Sequence, residues 1–216
     1  KAETKKNNHP LEAMFHPRSV AVIGASDTED NWAAKGFLKP LIDFGFSGGI
    51  FPINPLAAPV LGFKAYPCVS AVPEQVDFAI ISVPKSQVLS CIEDCAAKGV
   101  KTVCVYAAGF AESGTEQGRD EEARIIDIAR KAKIPTATIL GGEENSGVIL
   151  TIAANPYEQG REAAKLAAKV IKGTKPSDLP IEQSKKVDVI INLKEAADMG
   201  LKIPFDLLTF ATKVIK

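Results

Sequence analysis

The sequence predicts an α/β fold: a single doubly wound, mostly parallel sheet completed by βα units at its C-terminal end. Two observations carry this. Apolar strands alternate with amphipathic helices along most of the 216 residues, the pattern that right-handed crossovers turn into a parallel sheet with helices on both faces. The first apolar run, Ser19 to Ser26 (S-V-A-V-I-G-A-S), also breaks at Gly24 into two small residues and a polar segment, Asp27 to Asn31, able to cap a helix.

The elements follow in order. Trp32 to Phe44 carries apolar residues at Trp32, Phe37, Leu38, Leu41 and Ile42 and reads as a helix despite Pro40, stopping at Gly45. Gly49 to Asn54 is a second strand, closed by Asn54-Pro55, and a short strand is expected near Phe63 to Tyr66. Val76 to Val83 (V-D-F-A-I-I-S-V) is a near-continuous apolar strand, the mark of burial on both faces. Ser86 to Lys98 is an amphipathic helix built on Val88, Leu89, Ile92 and Ala96, and Lys101 to Tyr106 the next strand. Glu116 to Lys133 is a charged helix with Ile125, Ile126, Ile128 and Ala129 inward. Tyr157 to Lys172 repeats the helical pattern with Ala163, Ala167, Val170 and Ile171 inward; Val187 to Leu193 is a strand, and Phe205 to Ile215 a closing helix. The architecture is Rossmann- or flavodoxin-like, with residues 1–10 a flexible lead-in.

Composition narrows the function classes. With 26 basic and 26 acidic residues the chain has no net charge, so nothing electrostatic argues for nucleic acid or an anionic membrane as partner. Cys68, Cys91, Cys95 and Cys104 match no zinc spacing. They read as reduced thiols, which points to a cytoplasmic origin, and no metal is expected. No apolar run is long enough for a membrane span.

The break after Gly24 is the first candidate site. A buried strand running into a capped helix presents backbone N–H groups to an anion, so a phosphate could sit over the turn. Gly24 and Gly36 are too far apart for the G-x-G-x-x-G dinucleotide fingerprint, which disfavours NAD. A strand-to-helix turn with no ligand stays open as the alternative.

Four stretches resemble a known family. H-P-R-S-V-A-V-I-G-A-S, G-F-S-G-G-I-F-P-I-N-P, V-D-F-A-I-I-S-V-P and K-G-V-K-T-V-C-V-Y-A-A-G-F-A-E-S-G look like the coenzyme A-binding domain of NDP-forming acyl-CoA synthetases, relatives of the succinyl-CoA synthetase α chain. The resemblance covers residues 11–134. It implies coenzyme A as ligand, with Gly24, Ala25 and Ser26 approaching its phosphates and Lys35 adding a cation. Ile53, Asn54 and Pro55 would flank the nucleotide; Val83, Pro84 and Lys85 would border the adenine or pantetheine; Ala108, Gly109, Phe110 and Glu112 would line the channel to the thiol. Each has a plainer reading as strand terminator, solvated lysine or, for Phe110, core. The family's phosphohistidine is missing, because no histidine follows His16; His9 and His16 sit in the lead-in. No catalytic residue, and no enzyme activity, is therefore expected.

Residues 135–216 resemble something else. N-P-Y-E-Q-G-R-E-A-A-K-L-A-A-K-V-I-K-G and V-D-V-I-I-N-L-K-E-A-A-D-M-G-L-K-I-P-F-D-L-L look like the end of ABC-transporter substrate-binding proteins with the type I periplasmic fold. Two such fragments in one chain suggest a recombined, engineered chimera, with natural fusion as the alternative. Three functions follow as expectations: a non-catalytic coenzyme A- or nucleotide-binding module, a fold chimera with no retained ligand, or a small-solute binding protein.

Overall fold

The computed structural model describes residues 12–138, 147–182 and 186–216. They fall into two units, Lys1–Pro135 and Thr136–Lys216. The expected lead-in and His9 lie outside the described residues.

The first unit contains α1 (Glu12–Phe15), β1 (Ser19–Ile23), a widened helical turn (Ala33–Leu38) running into α2 (Lys39–Asp43), β2 (Gly49–Ile53), β3 (Phe78–Ile81), α3 (Lys85–Lys98), β4 (Thr102–Val105) and α4 (Glu116–Lys131). Its sheet has the order β2-β1-β3-β4, with every pair parallel. All five residues of β1 are buried, which is why the strand reads as an unbroken apolar run. Ala21, Ile23, Ala79 and Ile81 face one side, where Val88, Ile92 and Cys95 of α3 and Ile125 and Ile128 of α4 pack. Val20, Val22 and Ile80 face the other, against Ala33, Ala34 and Leu38. Each fully buried Val, Leu or Ile contributes roughly 1.5–3 kcal/mol, so both sheet faces hold the fold. Pro40 is accommodated by the wide turn before it. There the Lys39 N–H reaches back to the Ala34 carbonyl, easing the clash that a proline ring makes with the carbonyl four residues earlier in a regular helix. Phe63 to Tyr66 forms only isolated bridges, Ile53 with Tyr66 and Val60 with Phe63, rather than the expected strand.

The second unit contains β5 (Ala137–Thr138), β6 (Leu150–Ala154), α5 (Pro156–Ile171), β7 (Val187–Asn192), α6 (Leu193–Asp198), α7 (Phe205–Thr209) and β8 (Lys213–Ile215). Its strands make their own sheet, β5-β6-β7-β8, in which β6 and β7 are antiparallel. The α/β class and the Rossmann-like parallel sheet stand, but the single sheet completed by C-terminal strands is corrected. The reason is visible in β6: Thr151 and Ala153 are buried while Ile152 between them is exposed, and a strand buried on one face suits an antiparallel pair better than the middle of a doubly covered sheet.

Two further expectations are corrected here. Ala163, Ala167, Val170 and Ile171 of α5 are exposed; the half-buried residues are Glu158, Glu162 and Leu166. Polar contacts fix that helix instead: Asn155 Oδ1 accepts the Glu158 N–H at 3.0 Å while its Nδ2 donates to Asp188 at 2.9 Å, and Glu158 pairs with Lys186 and Arg161. The closing helix stops at Thr209. Beyond it the Thr212 N–H donates to the Val189 carbonyl at 2.8 Å and leads the chain into β8, where Val214 and Ile215 suit a strand better than a helix.

Candidate functional site

In the first sheet Ile23 pairs with both Ile53 and Ile81, and Ile81 with Val105, so all four strands end level. From β1 the chain crosses to β2 on one side and returns to β3 on the other. This reversal is the switch point at whose carboxyl edge open α/β sheets hold their ligands. The loops meeting there carry Gly24 to Ser26, Asn54 and Pro55, Ser82 to Lys85, and Tyr106 to Phe110.

Gly24 makes the approach of β1 and β3 possible. Its φ is +94°, and a Cβ placed on it would lie 2.3 Å from the Ser82 carbonyl oxygen and 2.9 Å from Val83 Cγ1. Asn31 then closes the turn: its Nδ2 donates to the Gly24 carbonyl at 2.9 Å, and its Oδ1 accepts the Ser26 N–H at 3.2 Å and the Ala34 N–H at 2.7 Å. The second of these caps the helix, as the polar segment before it predicts. Asn54 ties two loops together, donating from Nδ2 to the Ala25 carbonyl at 3.0 Å and accepting the Leu56 N–H at 2.9 Å.

These bonds engage two of the N–H groups that the turn was expected to leave free. The Gly24 N–H donates to Ile53 at 3.0 Å and that of Ser26 to Asn31. Ala25 is fully buried among Val20, Val22 and Leu38, so its side chain faces the core and only its backbone borders the edge. Ile53 is likewise buried, whereas Pro55 and Lys35 are exposed. The loop also carries Asp27, Glu29 and Asp30, all exposed, so an anion there depends on a cation such as Lys35; the Lys64 ammonium sits 4.9 Å over the ring of Tyr66, whose carbonyl accepts the Asn54 N–H.

On the β4 side, Pro84 is exposed and opens α3, and Val83 is half-buried against the Gly24 turn. Lys85 Nζ pairs with Glu121 Oε2 at 2.6 Å, donates to the Gly109 carbonyl and lies 5.4 Å over the Phe110 ring. The hydrogen bond from Lys85 holds the Glu121 carboxyl below its usual range. Gly109, at φ +100°, donates its N–H to Glu112 Oε1 at 2.5 Å, and that bond is the main reason the Glu112 carboxyl also titrates low. Ala108 is exposed; Phe110 is 7% exposed and belongs to the core cluster, as its plainer reading holds.

Three groups at this edge were not singled out as site residues from the sequence: Lys64, Trp32 and Tyr106. The two aromatics stack with ring centroids 6.3 Å apart, and Phe37 meets Tyr106 edge-on at 5.1 Å. Tyr106 closes its strand and Trp32 follows the cap residue, a placement that marks edge residues once the strands are known to end level.

Among the described residues no metal site or nucleophile is assembled. A groove of about 430 Å³ lined by Phe15, Pro17, Leu41, Phe46 and Phe78 lies toward the amino end of the strands, with no lysine or arginine in its walls. Among the described residues no group of three or more His, Cys, Asp or Glu side chains is placed to hold a metal, and no helix is long and apolar enough to cross a membrane. Burial pushes the Cys95 thiol up to about 12, which leaves it inert as a nucleophile.

Acetate--CoA ligase [ADP-forming] II of Archaeoglobus fulgidus is 40% identical over 152 residues, 68% of this chain and 22% of the ligase. The α subunit of acetate--CoA ligase [ADP-forming] I of Pyrococcus furiosus is 40% identical over 125 residues, 56% of this chain and 27% of the subunit. The chain thus spans about a quarter of the length of these relatives. Among solved structures, the apo dinucleotide-forming acetyl-coenzyme A synthetase 1 of Ca. Korarchaeum cryptofilum superposes with a TM-score of 0.54 at 40% identity, covering 58% of this chain and 26% of that one. An ABC domain from Streptococcus pneumonia, in complex with L-Trp, covers 95% of this chain and 58% of its own at a TM-score of 0.53 and 16% identity, a likeness of fold alone. The model of the CoA binding domain matches residues 18–140, more than half of the chain, and the chain belongs to that family.

Proposed function

We propose that the first unit is a coenzyme A-binding module without chemistry of its own. The observation that carries this is the coincidence of the family match over residues 18–140 with a parallel sheet whose four strand ends meet level at a switch point. In this reading the phosphates lie over the backbone of Gly24, Ala25 and Ser26 with Lys35 as cation. The nucleotide end rests near Ile53, Asn54 and Pro55, and the pantetheine passes Val83, Pro84 and Lys85 toward Ala108, Gly109, Phe110 and Glu112. Several of these positions contribute backbone or shape, since the side chains of Ala25 and Ile53 are buried and those of Asn54 and Lys85 are engaged.

Titration calorimetry of the full chain with coenzyme A tests the proposal. Saturable heat at one site per chain is expected. Absence of heat at about 1 mM ligand, where binding free energy is only about −4 kcal/mol, would sink it. A second expectation concerns activity. The relatives named above are ligases, but this chain has no histidine after His16 to carry a phosphoryl group, so it should form no acyl-CoA from acid, coenzyme A and ATP. Product detected by mass spectrometry with pure protein would refute that.

A second reading is favoured by the separate sheet of Thr136–Lys216, most of which lies beyond the family match. In it the chain is a small-solute binding protein through a fragment resembling ABC-transporter substrate-binding proteins, and coenzyme A binding by the first segment is vestigial. Heat with an amino acid or sugar and none with coenzyme A would point to the second segment as the binding part.

A further inference from the structure

Trp32 and Tyr106 are 56% and 52% exposed, although each is large enough to repay burial. Their rings stack within 22° of parallel, and they come from the two loops on either side of the end of β3. The helix is shaped to hold the indole there. A Cβ on Gly36 would lie 2.9 Å from Trp32 Cε2, so a residue that helices disfavour is the seat of the ring. The widened turn Ala33–Leu38 begins one residue after Trp32, and such turns recur where a helix serves a site. Packing holds the stack in place and still leaves each residue about half exposed.

Charge decides which part of a ligand would meet these rings. Coenzyme A has an anionic nucleotide end, with a pyrophosphate and a ribose phosphate, and a neutral pantetheine arm containing two amide planes. On the β2 side the Lys64 ammonium lies over the ring of Tyr66, whose carbonyl accepts the Asn54 N–H. On the β4 side the charge of Lys85 is matched by Glu121, and the Glu112 carboxylate is close by. The anionic end belongs with Lys35, the cation assigned to the phosphates above, and with Lys64, which leaves the neutral arm at Tyr106. Amide planes pack well on aromatic faces.

We propose that the Trp32–Tyr106 stack is the wall along which the pantetheine arm of coenzyme A lies. This rests on the coenzyme A-binding reading above and adds the residues that recognise the ligand's uncharged half. Trp32 is the only tryptophan of the chain, so its fluorescence, excited where tyrosine does not absorb, reports on this wall without any substitution.

The experiment titrates the full chain with coenzyme A and with adenosine 3′,5′-bisphosphate, which lacks the pantetheine arm, following both heat and Trp32 emission. Coenzyme A should bind and shift or quench the emission, while the bisphosphate should bind more weakly and leave it unchanged. Trp32→Ala should weaken coenzyme A about tenfold, the scale of one lost aromatic contact, and the bisphosphate less than about twofold; Trp32→Phe should restore most of the loss. Circular dichroism confirms the fold of each variant. If the bisphosphate moves the emission as much as coenzyme A does, the wall holds adenine and the proposal is overturned. It is also overturned, with the coenzyme A-binding reading intact, if coenzyme A gives heat but neither moves Trp32 nor notices its removal. If coenzyme A gives no heat, both readings fail together.

Discussion

Gly24→Ala should destabilise the first unit by about 2–6 kcal/mol, the sum of two costs. Gly24 has φ +94°, a region that costs a residue with a Cβ roughly 1–3 kcal/mol. The new Cβ would also meet the Ser82 carbonyl oxygen at 2.3 Å, and backbone cannot rotate away as a side chain can. Moving Ser82 would break its own N–H bond to the Ile23 carbonyl, 3.0 Å long, which continues the β1–β3 ladder. Such overpacking adds about 1–3 kcal/mol. Gly45→Ala is the control, because Gly45 has φ +69° with nothing within 4 Å of a built Cβ. It should cost only the conformational part, about 1 kcal/mol. Urea unfolding followed by Trp32 fluorescence reads the unit that contains both glycines. A Gly24→Ala loss no larger than that of Gly45→Ala would show that the close approach of β1 and β3 is not what glycine serves there.

Legibility in the sequence followed the kind of burial. The strands of the first unit could be read because burial on both faces writes a continuous apolar run, as in Ser19 to Ile23 and Phe78 to Ile81. The second unit was misread where its elements are short or one-sided. Phe205 to Ile215 holds enough apolar residues for a helix, yet a five-residue helix and a three-residue strand share it. In α5 the alanines suggest an inward face that the structure leaves exposed, because small apolar residues also serve helix propensity alone. At the site, strand ends were legible and side-chain roles were not. Ala25 reads as facing phosphate, but the positive φ at Gly24 turns it into the core. The tie from Asn54 to Ala25 and the stack of Trp32 on Tyr106 join residues far apart in the chain, which no local pattern encodes.

Asp77→Asn should cost about 2–3 kcal/mol near neutral pH, and the deficit should close in acid. Asp77 lies at the amino end of β3, its side chain 3% exposed, opposite the edge where the ligand is proposed. Its carboxylate accepts from the Arg18 backbone N–H and Nε, each at 3.0 Å, and from Lys101 Nζ at 2.7 Å. Its own N–H donates to Ser19 Oγ at 2.9 Å, and its carbonyl accepts the Thr102 N–H at 3.1 Å. One residue therefore pins the starts of β1, β3 and β4. Burial pushes this carboxyl up, but the hydrogen bonds from Arg18 and Lys101 outweigh it and bring it down to about 2, from an ordinary 3.8. A folded pKa below the unfolded one means that the folded state favours the charged form. The contribution is complete above about pH 4 and is lost as pH falls through about 2. Asparagine keeps the shape but offers one acceptor oxygen, and turns an NH₂ toward two cationic donors. Arg18 and Lys101 are 78% and 46% exposed and can return to water, which keeps the loss below the 3–5 kcal/mol typical of stranding a buried charge. Urea unfolding of parent and variant from neutral pH down to about pH 2 checks this, with stability differences read at each pH. A gap that stays constant below about pH 4 would mean that Asp77 acts through shape and not through its charge.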